Sequence, residues 1–158
     1  MKKTPAKRIR VGTVVEIRTP RGLAYAQQTH HLPMFGSLLC VFPGVHSQRP
    51  VDIGRVLAQA PQFSTFFPLQ EAVSRGIVEI VTDFPVAADL KHLPTFRVGM
   101  PDLRTGEIRS WWFWDGQREW PVGQLTPEQR KMPIREVVND TLLIERICTG
   151  WRSETDQD

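Results

Sequence analysis

The chain has 158 residues, 41% of them hydrophobic and 23% charged, which fits one domain able to bury roughly two-thirds of its unfolded surface. Its only two cysteines, Cys40 and Cys148, lie in apolar surroundings with no secretory h-region upstream, which excludes a disulfide-built scaffold and points to a reducing cytoplasm; no apolar run approaches the about 18 residues that a bilayer crossing needs. The formal charge is +3 and the pI near 9.2, but the excess sits in Lys2, Lys3, Lys7, Arg8 and Arg10, leaving a near-neutral body behind an arm expected to be solvated, or else to bind phosphate or a partner.

Residues 1–10 therefore read as a basic arm, 11–152 as a single globular domain and 153–158 as a disordered acidic tail. Val11, Thr13, Val15 and Ile17 alternate with Gly12, Val14, Glu16 and Arg18, a strand with a mixed second face. Pro20-Arg21-Gly22 supplies a turn, and alternation resumes through Leu23, Tyr25 and Gln27, giving a first hairpin. Small Ala24 and Ala26 imply close approach of another layer, and Gln27 to His31 reads as a polar exit from the sheet. His30 and His31 are adjacent, so on a strand they point to opposite faces, and no Cys, Asp or Glu stands near in sequence to complete a metal site.

Gly36 to Phe42, bounded by Pro33 and by Pro43-Gly44, has the length and apolarity of a buried central strand. Cys40 within it reads as a small buried apolar side chain, because a reactive thiol needs an electropositive, accessible setting. Val45 to Asp52 is a loop centred on Arg49-Pro50, Ile53 to Leu57 a further strand, and Phe63, Phe66 and Phe67 an aromatic plug anchoring a loop to the core. Pro68 suits the first turn of a short helix that buries Leu69, Ala72 and Val73 and stops at Gly76. Ile77 to Val81 returns as a strand, Asp83 to Pro94 is a proline-punctuated loop, and Phe96 to Val98 leads through Gly99 and Pro101 to a turn at Arg104-Thr105-Gly106.

The aromatic run Trp111-Trp112-Phe113-Trp114, broken by Asp115-Gly116 and resumed at Glu119-Trp120, predicts a hairpin over Ile108 to Val122 with a two-residue type I′ turn. That register sets Trp114 opposite Gln117, Phe113 opposite Arg118, Trp112 opposite Glu119 and Trp111 opposite Trp120. One face then carries Trp111, Phe113 and Trp120; the other carries Trp112, Trp114, Glu119 and Pro121. A ribbon aromatic on both faces either lies between two layers or leaves one face for a partner. Thr126 and Pro127 open one or two helical turns ending near Lys131. Leu143, Ile144, Ile147, Cys148 and Trp151 fit helical spacing, although β-branched content over 135–150 leaves a strand open. The expected class is α+β, a strongly bent antiparallel sheet or small open barrel with a few short helices.

No Gly-x-Gly-x-x-Gly, Walker loop, Cys-x-x-Cys, His-Glu-x-x-His or Gly-x-Ser-x-Gly occurs, so no common enzyme signature is present. An enzyme reading would pair Cys40 with His30, His31, His46 or His92. A single-strand nucleic-acid reading would use the basic arm with Tyr25, Trp112 or Trp114 as stacking platforms, although the ribbon is not interleaved with lysine. Carboxylate pairs such as Glu107 with Asp115, or Glu136 with Asp140, read as turn and surface residues. Trp111, Trp120 and Trp151 read as core, while Trp112 and Trp114 divide between core and partner surface.

Several phrases recur in an order that resembles a bacterial family: Val11-Gly12 with Val15 to Ile17, Gly22-Leu23-Ala24-Tyr25-Ala26-Gln27, Phe66-Phe67-Pro68-Leu69, Phe96-Arg97, Trp111 to Gly116, and Leu143 through Arg146-Ile147 to Gly150-Trp151. The whole resembles the immunity protein 26 group of polymorphic-toxin systems, small cytosolic proteins thought to neutralise a toxin by binding it. The resemblance spans about residues 10 to 151, with the Trp-Trp-Phe-Trp run its most specific piece, whereas the His30-His31-Pro33 loop and the Arg49 to Phe67 segment are longer than its pattern. It implies a non-catalytic module without cofactor or metal that covers a protein partner, a cognate toxin. Tyr25, Trp112, Trp114 and Glu119 are then expected to form the contact surface or brace it.

Overall fold

Branched residues at alternating positions draw the chain into strand β1 (Thr13–Thr19), and a turn at Gly22 reverses it into β2 (Gly22–Leu32). Gly22 sits at φ 137°, where a Cβ would meet the His46 carbonyl oxygen at 2.8 Å. Only glycine lets the following loop come that close, and it does so through paired bonds between the Leu23 and His46 backbones, 2.7 and 2.8 Å. The computed structural model describes residues 8–156. Lys2, Lys3 and Lys7 of the arm, and Gln157 and Asp158 of the tail, lie outside the described residues.

The polar stretch Gln27 to His31 does not leave the sheet as its composition predicts. A β-bulge between Gln28 and His30 keeps β2 paired to β3 (Gly36–Val41) as far as Leu32. The buried amide of Gln27 is satisfied by the carbonyls of Gly12 and Phe84 at 3.2 and 2.7 Å. Two further expectations are corrected. Ile53–Leu57 is a helix, α1, because the Asp52 side chain accepts from the Gly54 amide at 3.1 Å and starts a turn that β-branched composition does not announce. Phe63–Phe67 is strand β4, not a plug: Phe66 points to one face of the sheet and Phe63 and Phe67 to the other.

The short helix α2 (Leu69–Ser74) follows Pro68 and ends before Gly76, and β5 (Val78–Asp83) returns to pair with β1. This gives a five-stranded antiparallel sheet in the order β4-β3-β2-β1-β5. A second antiparallel sheet is built from β6 (Phe96–Pro101), β7 (Ile108–Trp114) and β8 (Glu119–Gly123). Thr126 and Gln129 cap each other reciprocally before a 3-10 turn at Gln129–Lys131. Helix α3 (Asp140–Thr149) settles the ambiguous last segment. Asn139 caps it at the Leu142 amide, 2.8 Å, and Gly150 ends it in the left-handed region. The class is α+β, with the strands divided between two sheets and neither closed into a barrel.

One face of the large sheet, with Val15, Ile17, Ala24, Ala26, Leu39 and Val41, packs under Leu69 and Ala72 of α2 and Leu143 and Ile147 of α3. On the other face Val14, Tyr25, Cys40 and Phe42 meet Val56 and Leu57 of α1, and Leu38 and Phe66 meet Phe96 and Trp114 of the second sheet. Residues 133–138 then run as a strap between the sheets. Ile134 bridges in parallel to Arg97 of β6, and Val137 to Phe66 of β4. The ordered body also extends past both expected limits. Ile9 packs on the core and Arg10 pairs with Asp83, while Ser153, in a 3-10 turn over Ser153–Thr155, is buried with its carbonyl accepting from Arg97 at 2.7 Å.

Leu143 joins α3 to the sheet and is fully buried. Leu143→Ala is expected to cost about 3 kcal/mol in urea unfolding, whereas Leu103→Ala, at a turn where the side chain is 99% exposed, should stay within about 0.5 kcal/mol of the parent.

Candidate functional site

Asp115 decides how the tryptophan hairpin closes. Its carboxylate accepts from the amides of Gln117 and Arg118 at 2.9 and 2.8 Å, which holds its pKa below the usual carboxylate range. Only Gly116 takes positive φ there, so the two-residue type I′ turn, which needs it at two successive positions, does not form. The connection spans Asp115 to Arg118, and Trp114 faces Glu119, Phe113 faces Trp120 and Trp112 faces Pro121. The register is displaced by two from the expected one. A shift of two preserves side, so the expected sorting of side chains between faces survives.

On the face toward the large sheet, the row Phe96–Trp114–Glu119 comes first. Trp114, 8% exposed, has ring centroids of Phe35, Phe96 and Phe66 at 5.0, 5.4 and 6.4 Å. Arg135 lies 5.2 Å over the same ring and pairs with Glu119. The next row, Val98–Trp112–Pro121, is half-buried to exposed, and Met100 beyond it is 56% exposed. Beside this face stands the β2–β3 tip, where Phe35 stacks inward and Met34 is 88% exposed.

The opposite face is covered at Trp111 and open at Trp120. Arg97 is fully buried, with its guanidinium 4.5 Å over the Trp111 ring. Trp111 is buried as expected; Trp120 is not core, being 37% exposed with its ring set edge-on to Phe113 at 6.2 Å. Trp151 is half-buried, with the Arg146 guanidinium 3.8 Å over it and Glu136 pairing that arginine.

Tyr25 stands elsewhere. It is 1% exposed inside the large sheet's second face, so it offers neither a stacking platform nor a contact surface. Its hydroxyl donates to Glu16 Oε2 at 2.8 Å, and Arg49 reaches the same carboxylate through Nε at 2.7 Å and Nη2 at 3.3 Å. The Arg49 hydrogen bonds pull Glu16 below the usual glutamate value despite burial, and burial with the Glu16 bond pushes the Tyr25 phenol up. Sequence reasoning missed this cluster. Its only signal is a carboxylate at the centre of a branched strand.

Among the histidines, His30 is held by Thr29 Oγ1 at 3.0 Å and the Lys91 carbonyl at 2.9 Å, and His46 lies edge-on to Tyr25 at 5.6 Å. His31 is exposed opposite Ser37. His92 alone lines the same cavity as Cys40. Burial pushes the Cys40 thiol up to about 12, so at neutral pH it is a protonated wall group. Both cysteines are free, and among the described residues no three His, Cys, Asp or Glu side chains converge as a metal set. No described helix is long and apolar enough to cross a membrane.

No protein-family model matches the chain, and neither a curated protein nor a solved structure does so.

Glu16 yields a signed pH prediction. Its folded pKa is lowered, so its stabilisation is complete above the unfolded value of about 4.3 and is lost as pH falls through the depressed folded value. Glu16→Gln should lower stability at pH 7 by about 1–2 kcal/mol, since the Arg49 partner is half exposed. The difference from the parent should shrink in urea titrations below about pH 4.

Proposed function

We propose that the chain is a non-catalytic protein-binding module of the immunity type, which neutralises a toxin by covering it, and that the open half of the β6–β8 face is its contact surface. The observation that carries this reading is the row Val98–Trp112–Pro121, half-buried at Val98 and Trp112 and exposed at Pro121, and continued by exposed Met100. Apolar area of this kind, with a half-buried tryptophan at its centre, has the make-up of an interface anchor. Methionine at its margins adapts to an irregular partner.

The expected contact residues take different parts. Trp112 is the anchor and Glu119 the rim, its charge held by Arg135. Trp114 and Tyr25 are braces, one packed in the aromatic cluster on the anchor's own strand and the other inside the large sheet. The action is steric: a preformed surface lies over the partner, and no bond is made or broken.

Co-expression with the product of the neighbouring gene tests this. A stoichiometric complex that restores growth is expected, and Trp112→Ala should weaken it by about 30-fold or more, the scale of an interface hot spot near 2 kcal/mol. Near-ultraviolet dichroism and the urea midpoint of that variant should remain close to the parent. Absence of a complex would refute the immunity reading, and undiminished affinity in Trp112→Ala would refute the surface.

A further inference from the structure

The strap caps the outer edge of β4 only at Phe66, where Val138 donates to the Phe66 carbonyl at 3.0 Å and Val137 bridges in parallel. In a parallel bridge, earlier strap residues would run beside earlier β4 residues. Here they have crossed to β6, where Pro133 and Arg135 bond to the Arg97 backbone. Where strap and strand part, a cavity of about 220 Å³ is lined by Ser64 of β4, Pro133 of the strap and the turn at Ser153. It is neither the tryptophan face nor the Glu16 cluster.

The ladder to β3 fixes which backbone groups face this gap. Hydrogen-bonded and non-hydrogen-bonded pairs alternate along an antiparallel ladder, so residues two apart turn their N–H and C=O to the same side. Phe66 turns outward to the strap, and Ser64 therefore turns outward too. The Gln62 amide, donating to the Val41 carbonyl at 2.8 Å beside the Val41–Phe63 pair, agrees: the inward bonds belong to Phe63, Thr65 and Phe67. Among the described residues, no hydrogen bond from another segment reaches the Ser64 N–H or carbonyl. Two residues back the edge is covered again, because Arg152 reaches the Gln62 carbonyl at 3.5 Å. The open edge is one residue long. Ser64 is small, and it shares its sheet face with Cys40, its partner across the ladder, and with Leu38. Both line the cavity and are almost completely buried.

We propose that this gap is a strand-addition site for an extended peptide segment, one residue of which exchanges both backbone hydrogen bonds with Ser64 while its apolar side chain rests on Leu38 and Cys40. The occupant has to bring a donor and an acceptor at strand spacing, which extended backbone supplies. The fold already uses this edge in the same way, since the strap adds to β4 two residues along. At about 220 Å³ the cavity is smaller than a drug-sized pocket, so it matches one residue and its flanking amides.

N-acetyl-leucine methylamide is the direct probe on the full chain, with the analogue methylated at the leucine nitrogen as a control of nearly equal apolar body. In amide NMR titrations the first should move the Ser64 amide proton downfield and shift Cys40, both saturably. The methylated analogue lacks the donor and should bind about fivefold more weakly or worse, the scale of one lost hydrogen bond. Ser64→Leu fills the gap from β4 and leaves the ladder bonds in place, so it should weaken the first probe by about tenfold or more. Ser64→Ala keeps both the backbone groups and the space, and should bind within about twofold of the parent. No saturable shift at tens of millimolar, equal affinity for the two probes, or undiminished affinity in Ser64→Leu would each overturn the assignment.

Discussion

What the second sheet can present depends on the strap at residues 133–138. Three backbone hydrogen bonds, from Arg97 to Pro133, Arg135 to Arg97 and Val138 to Phe66, at 2.9, 3.0 and 3.0 Å, tie the outer strand of one sheet to the outer strand of the other. Each such bond contributes only about 0.5–1.5 kcal/mol net. More stabilisation comes from the aromatic cluster that the strap holds in place, in which Phe66 stacks on Phe96 at 5.2 Å and Phe35 on Phe66 at 5.1 Å around Trp114. Buried aromatics dominate packing energetics and gain about 0.5–1.5 kcal/mol per pair beyond area. The hydrogen bonds set position and the rings supply most of the energy. Between them they cap two edges that would otherwise offer unpaired backbone groups to other chains.

The same division of labour governs charge. Arg97, Arg135 and Arg146 each lie over a tryptophan ring, and the last two each also pair with a glutamate. An arginine so placed covers apolar surface with its stem while its planar head keeps donors in use. Arg97 covers Trp111 on one face of the small sheet and Arg135 covers Trp114 at its junction with the large one, whereas Trp120 and the Val98–Trp112–Pro121 row are not so covered. On the large sheet, the Glu16–Tyr25–Arg49 cluster does parallel work, holding the loop that carries Arg49 against β1 and β2.

Much of this was legible in the chain. Period-two alternation found β1 and β2, a proline-bounded apolar run found β3, and capping chemistry found α2 and the turn at Thr126, because those signals are local. The strand at Phe63–Phe67 and the helix at Ile53–Leu57 were misread for the same reason in reverse: a single Asp52 side chain outweighs five residues of strand-like composition, and an edge strand with phenylalanines on both faces has no alternation to detect. The hairpin's register was missed through Asp115, whose side chain builds a wider turn, yet the face assignment held because the shift was even. The expected contact residues divided along another line. Trp112 and Glu119 could be placed by period alone. The burial of Tyr25 depends on Glu16 and Arg49, far apart in sequence, and no single-strand pattern encodes that pairing.

A partner surface of the kind proposed requires that Trp112 stand on a platform that does not open independently. Native-state hydrogen exchange across a denaturant series measures this directly. The slowest amides of β7 and of β2 should exchange with the same free energy and the same denaturant dependence, as parts of one cooperative unit. If β6–β8 amides instead exchange through a separate opening, with lower free energy and a smaller dependence, the two sheets are not one body. The account of the tryptophan face as a preformed surface would then be contradicted.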